Sequence, residues 1–356
     1  MVQLSTAQPA RHPKPTVKAN LVAYAIFTRT DLQLAERYLT DFGLQRVALE
    51  HDTLYMRGTH AAPYCYRVEE GSRDAFVGLG LGVASRDDLK ALAKLPGASA
   101  IEPCQGPGGG ERVRLTDPSG FRVEAVCWPQ TTSLPRRSAL PVNSPESVQR
   151  INETQRPPVA PPEVIKLGHV ALEVVDYQDT LAWYTKHFGL IPSDIQVLPD
   201  GSPAMTFTRL DLGDMPSDHH AVAFAQSFMP ALNHVSFEVV DLDAVAMGHR
   251  VLQERGWKHV WGMGRHVLGS QIFDYWRDPW GDKHEHYADG DRFDNTVPAG
   301  VHPISAEAMA QWGQRLTPEF TRPHLNASAI WQLVRNLRRS PDLSLRKLVS
   351  MLRALR

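Results

Sequence analysis

The chain has 356 residues, 42% hydrophobic and 22% charged, which suits a full globular core in about two domains and excludes a disordered chain. Its 38 lysines and arginines against 39 aspartates and glutamates leave a formal net charge of -1, so no field of one sign gathers nucleic acid or an anionic membrane. The three cysteines, Cys65, Cys104 and Cys127, share no CxxC spacing, which argues against a disulfide framework and for a reducing compartment, with cytoplasm expected.

Residues 1–17 hold prolines and basic side chains but no signal-like apolar stretch, and read as a flexible tail. The longest apolar run, Phe76 to Ala84, is broken by three glycines and is too short to span a bilayer. A first domain is expected over 18–129. It opens with a short strand and a helical stretch, Leu21 to Leu44, in which Gly43 suits a helix C-cap. Strand-like runs follow at 53–57 and 76–80, and the sequence DPSGFRVE from Asp117 to Glu124 predicts a turn and a strand.

Closely spaced prolines over 130–163 forbid helix interior and central strand, and predict an extended linker. A second domain over 164–300 repeats the order: strand and helix from Leu167 to Leu190, runs at 204–208 and 221–225, and DPWGDKHE from Asp278 to Glu285. The loop from Ala288 to Asn295 is acidic, but lacks the terminal Glu and flanking helices of an EF-hand. Residues 301–356 are expected to form a helical extension. Near its end Leu345, Leu348, Val349, Leu352 and Leu355 share one face, with arginines opposite.

The duplicated βαβββ order resembles the vicinal oxygen chelate superfamily, over roughly residues 18–300. The resemblance implies an α+β fold in which paired βαβββ modules curl into an open, eight-stranded half-barrel in each domain. Overlaying the halves on their Phe-Gly-Leu segments sets Ala23 opposite His169 and the Phe76–Val83 strand opposite His234. Only Glu124 matches its counterpart, Glu285. The first domain therefore reads as structural and the second as metal-binding.

Alternation places His169 and Ala171 on one face of their strand, with Val170, Leu172 and Val174 on the other. His234 and Ser236 repeat that arrangement, and alternation separates Glu285 from His284 and His286. Two imidazoles and a carboxylate form the facial set typical of non-heme Fe(II), and Mn(II) meets the same geometric demands.

The stretch from Gly264 to His286, GRHVLGSQIFDYWRDPWGDKHEH, resembles the C-terminal signature of type I extradiol ring-cleaving dioxygenases. That resemblance implies His266 and Tyr275 beside a catechol. Likewise DHHAVAF from Asp218 to Phe224 resembles the family element that supplies the acid/base, with His220 aligned to it and His219 as the fallback. The implied reaction is Fe(II)-dependent extradiol cleavage of a substituted catechol by O2, giving a semialdehyde or keto acid, in aromatic catabolism.

The family's habit of oligomerising implies a homo-oligomer, with the C-terminal amphipathic face packed on another subunit. Trp276, Phe273 and Met263 suggest an aromatic-lined pocket, and Arg265 or Arg277 would suit a carboxylated ring. His187, His249, His259 and His302 read as solvated or capping side chains. Two alternatives stand: a metal-dependent glyoxalase-like isomerase or lyase using Glu285 as base, and a metal-free binding protein of the same superfamily.

Overall fold

The computed structural model describes residues 11–129, 132–321 and 327–354. The first half holds β1 (Leu21–Arg29), α1 (Leu32–Asp41), β2 (Gln45–Glu50), β3 (Thr53–Arg57), β4 (Tyr66–Glu70), β5 (Ala75–Gly82), α2 (Arg86–Leu92), β6 (Glu102–Pro103), β7 (Glu111–Thr116) and β8 (Arg122–Cys127). Its strands form one sheet in the order β2-β3-β4-β1-β5-β8-β7-β6. Residues 132–163 contain neither helix nor strand.

The second half holds β9 (Lys166–Val174), α3 (Tyr177–Phe188), β10 (Ile191–Val197), β11 (Pro203–Arg209), β12 (Ser217–Asp218), β13 (Val222–Gln226), β14 (Ala231–Glu238) and α4 (Leu242–Glu254). It continues with β15 (Lys258–Arg265), β16 (Ile272–Arg277), β17 (Lys283–Ala288), β18 (Arg292–Phe293), β19 (Gly300–Pro303), β20 (Trp312–Gly313), α5 (Pro318–Thr321), α6 (Ala327–Arg339) and α7 (Leu345–Ala354). Its large sheet runs β19-β10-β11-β13-β9-β14-β17-β16-β15-β20, and β12 pairs with β18 in a separate ribbon.

The strand pattern follows from which face each residue buries. Along β9, Val170, Leu172 and Val174 are fully buried in a core that also takes Leu181, Tyr184 and Phe188 from α3. Gly189 ends α3 in the left-handed region (φ 69), a conformation that suits a residue without Cβ. The core is continuous between the halves. His286 stacks on Phe42 at 3.8 Å and lies 2.7 Å from the Phe42 carbonyl, while His284 lies 3.0 Å from the Tyr66 hydroxyl. Both histidines thus point away from Glu285, yet into the shared core and not into water. Arg29 of β1 crosses to Asp278 and Asp282, at 2.7 and 2.6 Å.

Four expectations are corrected. The tail is held from Arg11 onward: Arg11 pairs with Asp211 at 2.7 Å, and the Thr16 and Val17 amides donate to carbonyls of α3. Residues 1–10 lie outside the described part. The second sheet has ten strands rather than eight, because β19 and β20 extend its two edges. The extension from 301 therefore begins as strand and turn, with α5 its first α-helix, since it pays for open sheet edges with backbone hydrogen bonds. Of the amphipathic face on α7, Leu345, Val349 and Leu352 are exposed, and Leu355 lies outside the described residues.

The fourth correction concerns the overlay. In the second sheet Ser236 pairs with both His169 and Glu285; in the first, Gly80 pairs with both Tyr24 and Glu124. His169 therefore corresponds to Tyr24, one residue beyond Ala23, and His234 corresponds to Gly78. The Phe-Gly-Leu overlay misses this because the run from His169 to Phe188 is one residue longer than the run from Tyr24 to Phe42, while the β-bulges fall at corresponding places in the two halves.

Candidate metal centre and its cavity

Three adjacent strands of the second sheet bring His169 (β9), His234 (β14) and Glu285 (β17) together. Their donor atoms form a tight triangle. His169 Nε2 lies 3.0 Å from His234 Nε2, and Glu285 Oε2 lies 3.2 and 3.5 Å from those two nitrogens. Ligand atoms about 2.1 Å from one ion and at right angles to each other stand ~3.0 Å apart, so the triangle has the size of one face of an octahedral site.

The hydrogen bonds around the triangle also suit a cation. His234 Nδ1 donates to Asn233 Oδ1 at 2.9 Å, which leaves the Nε2 lone pair aimed at the centre. Asn233 is itself held by Glu173 at 2.9 Å. Burial, foremost, keeps the His234 imidazole neutral by pushing its pKa far down. The Glu285 side chain is fully buried, and its ion-pair neighbours among the described residues are the imidazoles of His169, His234 and His266, with no lysine or arginine in contact. A buried carboxylate left in that condition carries a large desolvation cost, which a divalent ion at the triangle would offset.

Beside the triangle lies a cavity of about 130 Å³, close to the ~150 Å³ of an apolar cavity that holds benzene. His169, His234, His220, His266 and Tyr275 border one end, and Phe207, Leu268, Met309, Leu316 and Phe320 form apolar walls. The aromatic lining is thus Phe207, Tyr275 and Phe320. Phe273, Trp276 and Met263 do not line it: β16 alternation turns Trp276 to the opposite face, while Phe273 packs on Trp261 and His266. Arg265 reaches Ser270 and Asp289, and Arg277 reaches Glu319, so neither points into the cavity.

The His219 and His220 pair is ordered by an aspartate that sequence reasoning missed. His219 Nε2 lies 2.7 Å from Asp194 Oδ2, and His219 Nδ1 lies 3.0 Å from His220 Nδ1. In the neutral tautomer whose proton is held at Nε2 by the carboxylate, His219 Nδ1 accepts. His220 Nδ1 must then donate, which leaves His220 Nε2 unprotonated. The His220 ring lies against His169 at 3.9 Å and lines the cavity, whereas His219 does not. Burial, then the neighbouring histidines, hold the His220 pKa well below that of a free imidazole.

A similar chain fixes His266. Its Nδ1 donates to the Met309 carbonyl at 2.7 Å, so Nε2 faces Tyr275 Oη at 3.0 Å and Glu285 Oε1 at 3.4 Å. Burial, reinforced by the Glu285 charge, drives the Tyr275 pKa well up, and the phenol stays a donor. Met309 lies in the extension, so that segment both walls the cavity and sets a tautomer inside it. Gln196 and Gln271 also line the cavity, each with a buried carbonyl oxygen that has no partner among the described residues. Neither has a sequence signal.

His249, His259 and His302 are paired, contrary to the expectation of solvated or capping side chains. His302 lies 2.8 Å from Asp194, and the other two converge on Asp274. Spacing along the chain could not show this, because the partners lie on other strands.

The sequence model of the Glyoxalase/Bleomycin resistance protein/Dioxygenase superfamily matches residues 166–285, from the start of β9 to Glu285. Metapyrocatechase 2 of Cupriavidus necator is 32% identical over 327 residues, covering 88% of this chain and 94% of that protein. Among solved structures, the Mn(II)-bound glyoxalase of Novosphingobium aromaticivorans has a TM-score of 0.71 at 23% identity, covering 87% of this chain and 97% of its own. Homoprotocatechuate 2,3-dioxygenase of Brevibacterium fuscum has a TM-score of 0.71 at 17% identity, covering 88% and 94%. At those identities the structural likenesses carry the fold. The 32% identity along nearly the whole length carries the family: the chain belongs to the extradiol dioxygenases of the glyoxalase/bleomycin resistance/dioxygenase superfamily.

Proposed function

We propose that this protein cleaves a substituted catechol beside its two hydroxyls, using O2 and an Fe(II) ion held by His169, His234 and Glu285. The observation that carries the reading is the open side of that triangle, which faces a ring-sized cavity bordered by His220, His266 and Tyr275. The metapyrocatechase relative supports it. The chemistry such an ion supplies when bound is a common point of chelation for a vicinal diol and activation of dioxygen.

The protein's own residues manage protons and position. His220 Nε2, neutral and unprotonated, takes a proton from a catechol hydroxyl and later returns it. His219 and Asp194 hold the tautomer that makes this direction available. The Tyr275 hydroxyl donates to the substrate oxygen nearest the triangle and stabilises its deprotonated form. His266 steadies the ring while keeping its own proton on Met309. Apolar walls exclude water, which strengthens each of these interactions. Both atoms of O2 enter the product, one ring C–C bond breaks, and a conjugated semialdehyde or keto acid results.

The test is O2 uptake by the Fe(II)-loaded protein against a panel of catechols, with one O2 expected per ring opened. No uptake with any vicinal diol would overturn the reading. The fold shared with a Mn(II)-bound glyoxalase favours one second reading, isomerisation with Glu285 as base. That chemistry would turn over without oxygen.

A further inference from the structure

We infer that His249, His259 and Asp274 form a second binding site for a divalent metal ion of the zinc type, separate from the His169, His234 and Glu285 centre. The three belong to different elements. His249 lies on α4, His259 on β15 and Asp274 on β16, so their meeting is a product of the fold. Strand alternation puts Tyr275 on the cavity face of β16 and Asp274 on the face packed against α4.

The carboxylate is the informative group. Asp274 is fully buried, and its only ion-pair partners among the described residues are the two imidazoles. No lysine or arginine compensates it there. His249 Nδ1 lies 3.1 Å from Oδ2, and His259 Nε2 lies 2.8 Å from Oδ1. All three donor atoms fall within 4.8 Å of one another. Ligands about 2.0–2.1 Å from a tetrahedral zinc stand ~3.3 Å apart, so a small adjustment seats the ion.

The surroundings match what metal ligands need. Trp276 Nε1 donates to Asp274 Oδ2 at 2.5 Å and orients the carboxylate from outside the site. The Trp276 ring packs against both imidazoles, at 5.4 and 4.9 Å. Each histidine side chain keeps 29% of its surface exposed, so an ion has a path in and a water can complete the fourth position. Two nitrogens and one carboxylate oxygen suit zinc better than calcium or magnesium, which prefer oxygen alone. A bound ion would tie α4 to β15 and β16 directly behind Tyr275.

The test is zinc stoichiometry and affinity in the full chain after chelator treatment, by calorimetry and elemental analysis. In an H169A/H234A variant, where the first centre is disabled, one zinc should still bind and raise Tm. Adding His259→Ala should weaken that binding by more than ~100-fold, beyond the ~10–100-fold that loss of a partner outside the ligands costs. As a variant that keeps the first centre intact, His249→Ala alone should lower the zinc content from two per chain to one. Zinc content unaffected by both His249→Ala and His259→Ala would overturn the inference.

Discussion

Glu124 and Glu285 occupy corresponding positions in the two sheets, opposite Gly80 of β5 and Ser236 of β14. Both side chains are fully buried. Around Glu124 the chain supplies its own cations: Arg67 bonds the two oxygens at 2.7 and 2.9 Å, Arg112 adds a contact at 3.1 Å, and the Tyr24 hydroxyl donates at 2.7 Å. Around Glu285 stand His169 and His234, neither of which carries a fixed charge. Tyr24 stands where His169 stands, and its ring lies so close over Gly80 that a Cβ there would come within 2.6 Å. The same buried carboxylate is thus closed by guanidinium in one half, and left with lone pairs converging on an open centre in the other. The difference teaches that a candidate metal site takes the absence of built-in compensation as much as the presence of ligands.

The largest effect that can break this comparison is loss of a ligand. His169→Ala or Glu285→Gln should cut metal retention by more than ~100-fold, beyond what outer partners contribute, and remove turnover while Tm of the metal-free protein changes little. Metal analysis beside a steady-state assay reads both. Glu124→Gln should do the reverse, leaving metal content intact and costing about 1–3 kcal/mol in urea unfolding, because Arg67 and Arg112 lose a buried charge partner and keep only Glu69 and Glu102. Pairing Glu124→Leu with Arg67→Met should recover most of that loss.

Between these extremes, His220→Asn should lower kcat by ~10²–10⁴-fold, the usual contribution of a general base. His219→Phe should cost less, near ~10-fold, and shift the pH profile of kcat, since it removes a holder of the proton and not its acceptor. Equal losses for both would show that the tautomer chain from Asp194 does not operate.

The same comparison is sharpened by a pH dependence of stability. Burial alone would raise the Glu124 pKa, but Arg67, Arg112 and Tyr24 outweigh it and bring the value down to about 2. The folded value lies below the ordinary 4.5, so this stabilisation is present above pH 4.5 and fades as pH falls towards 2. Its size is on the order of 3 kcal/mol. A variant lacking Glu124 should lose that segment of the acid unfolding curve.

Much of this was legible in the chain itself. The repeated βαβββ order, the Gly189 cap and the alternation around His169, His234 and Glu285 all follow from local periodicity, which the folded strands keep. What escaped depends on contacts between distant segments. Asp194 reaches His219 across 25 residues, and Met309 reaches His266 across 43. Tyr24 matches His169 only through the pairing of each with a neighbouring strand, because the run that leads from the strand through the helix differs by one residue between the halves. The strands of the extension carry no local signal, because their pairing edges, β10 and β15, lie far away in sequence.

The most direct measurement is O2 consumption by anaerobically Fe(II)-reconstituted protein, with bound iron counted in the same samples, for the unaltered chain and for Glu285→Gln and Glu124→Gln. One iron per chain, with catechol-dependent O2 uptake lost in Glu285→Gln and kept in Glu124→Gln, is the predicted result. Iron and O2 uptake that survive Glu285→Gln, or that vanish from the folded Glu124→Gln protein, would contradict the assignment of the working centre to the second half.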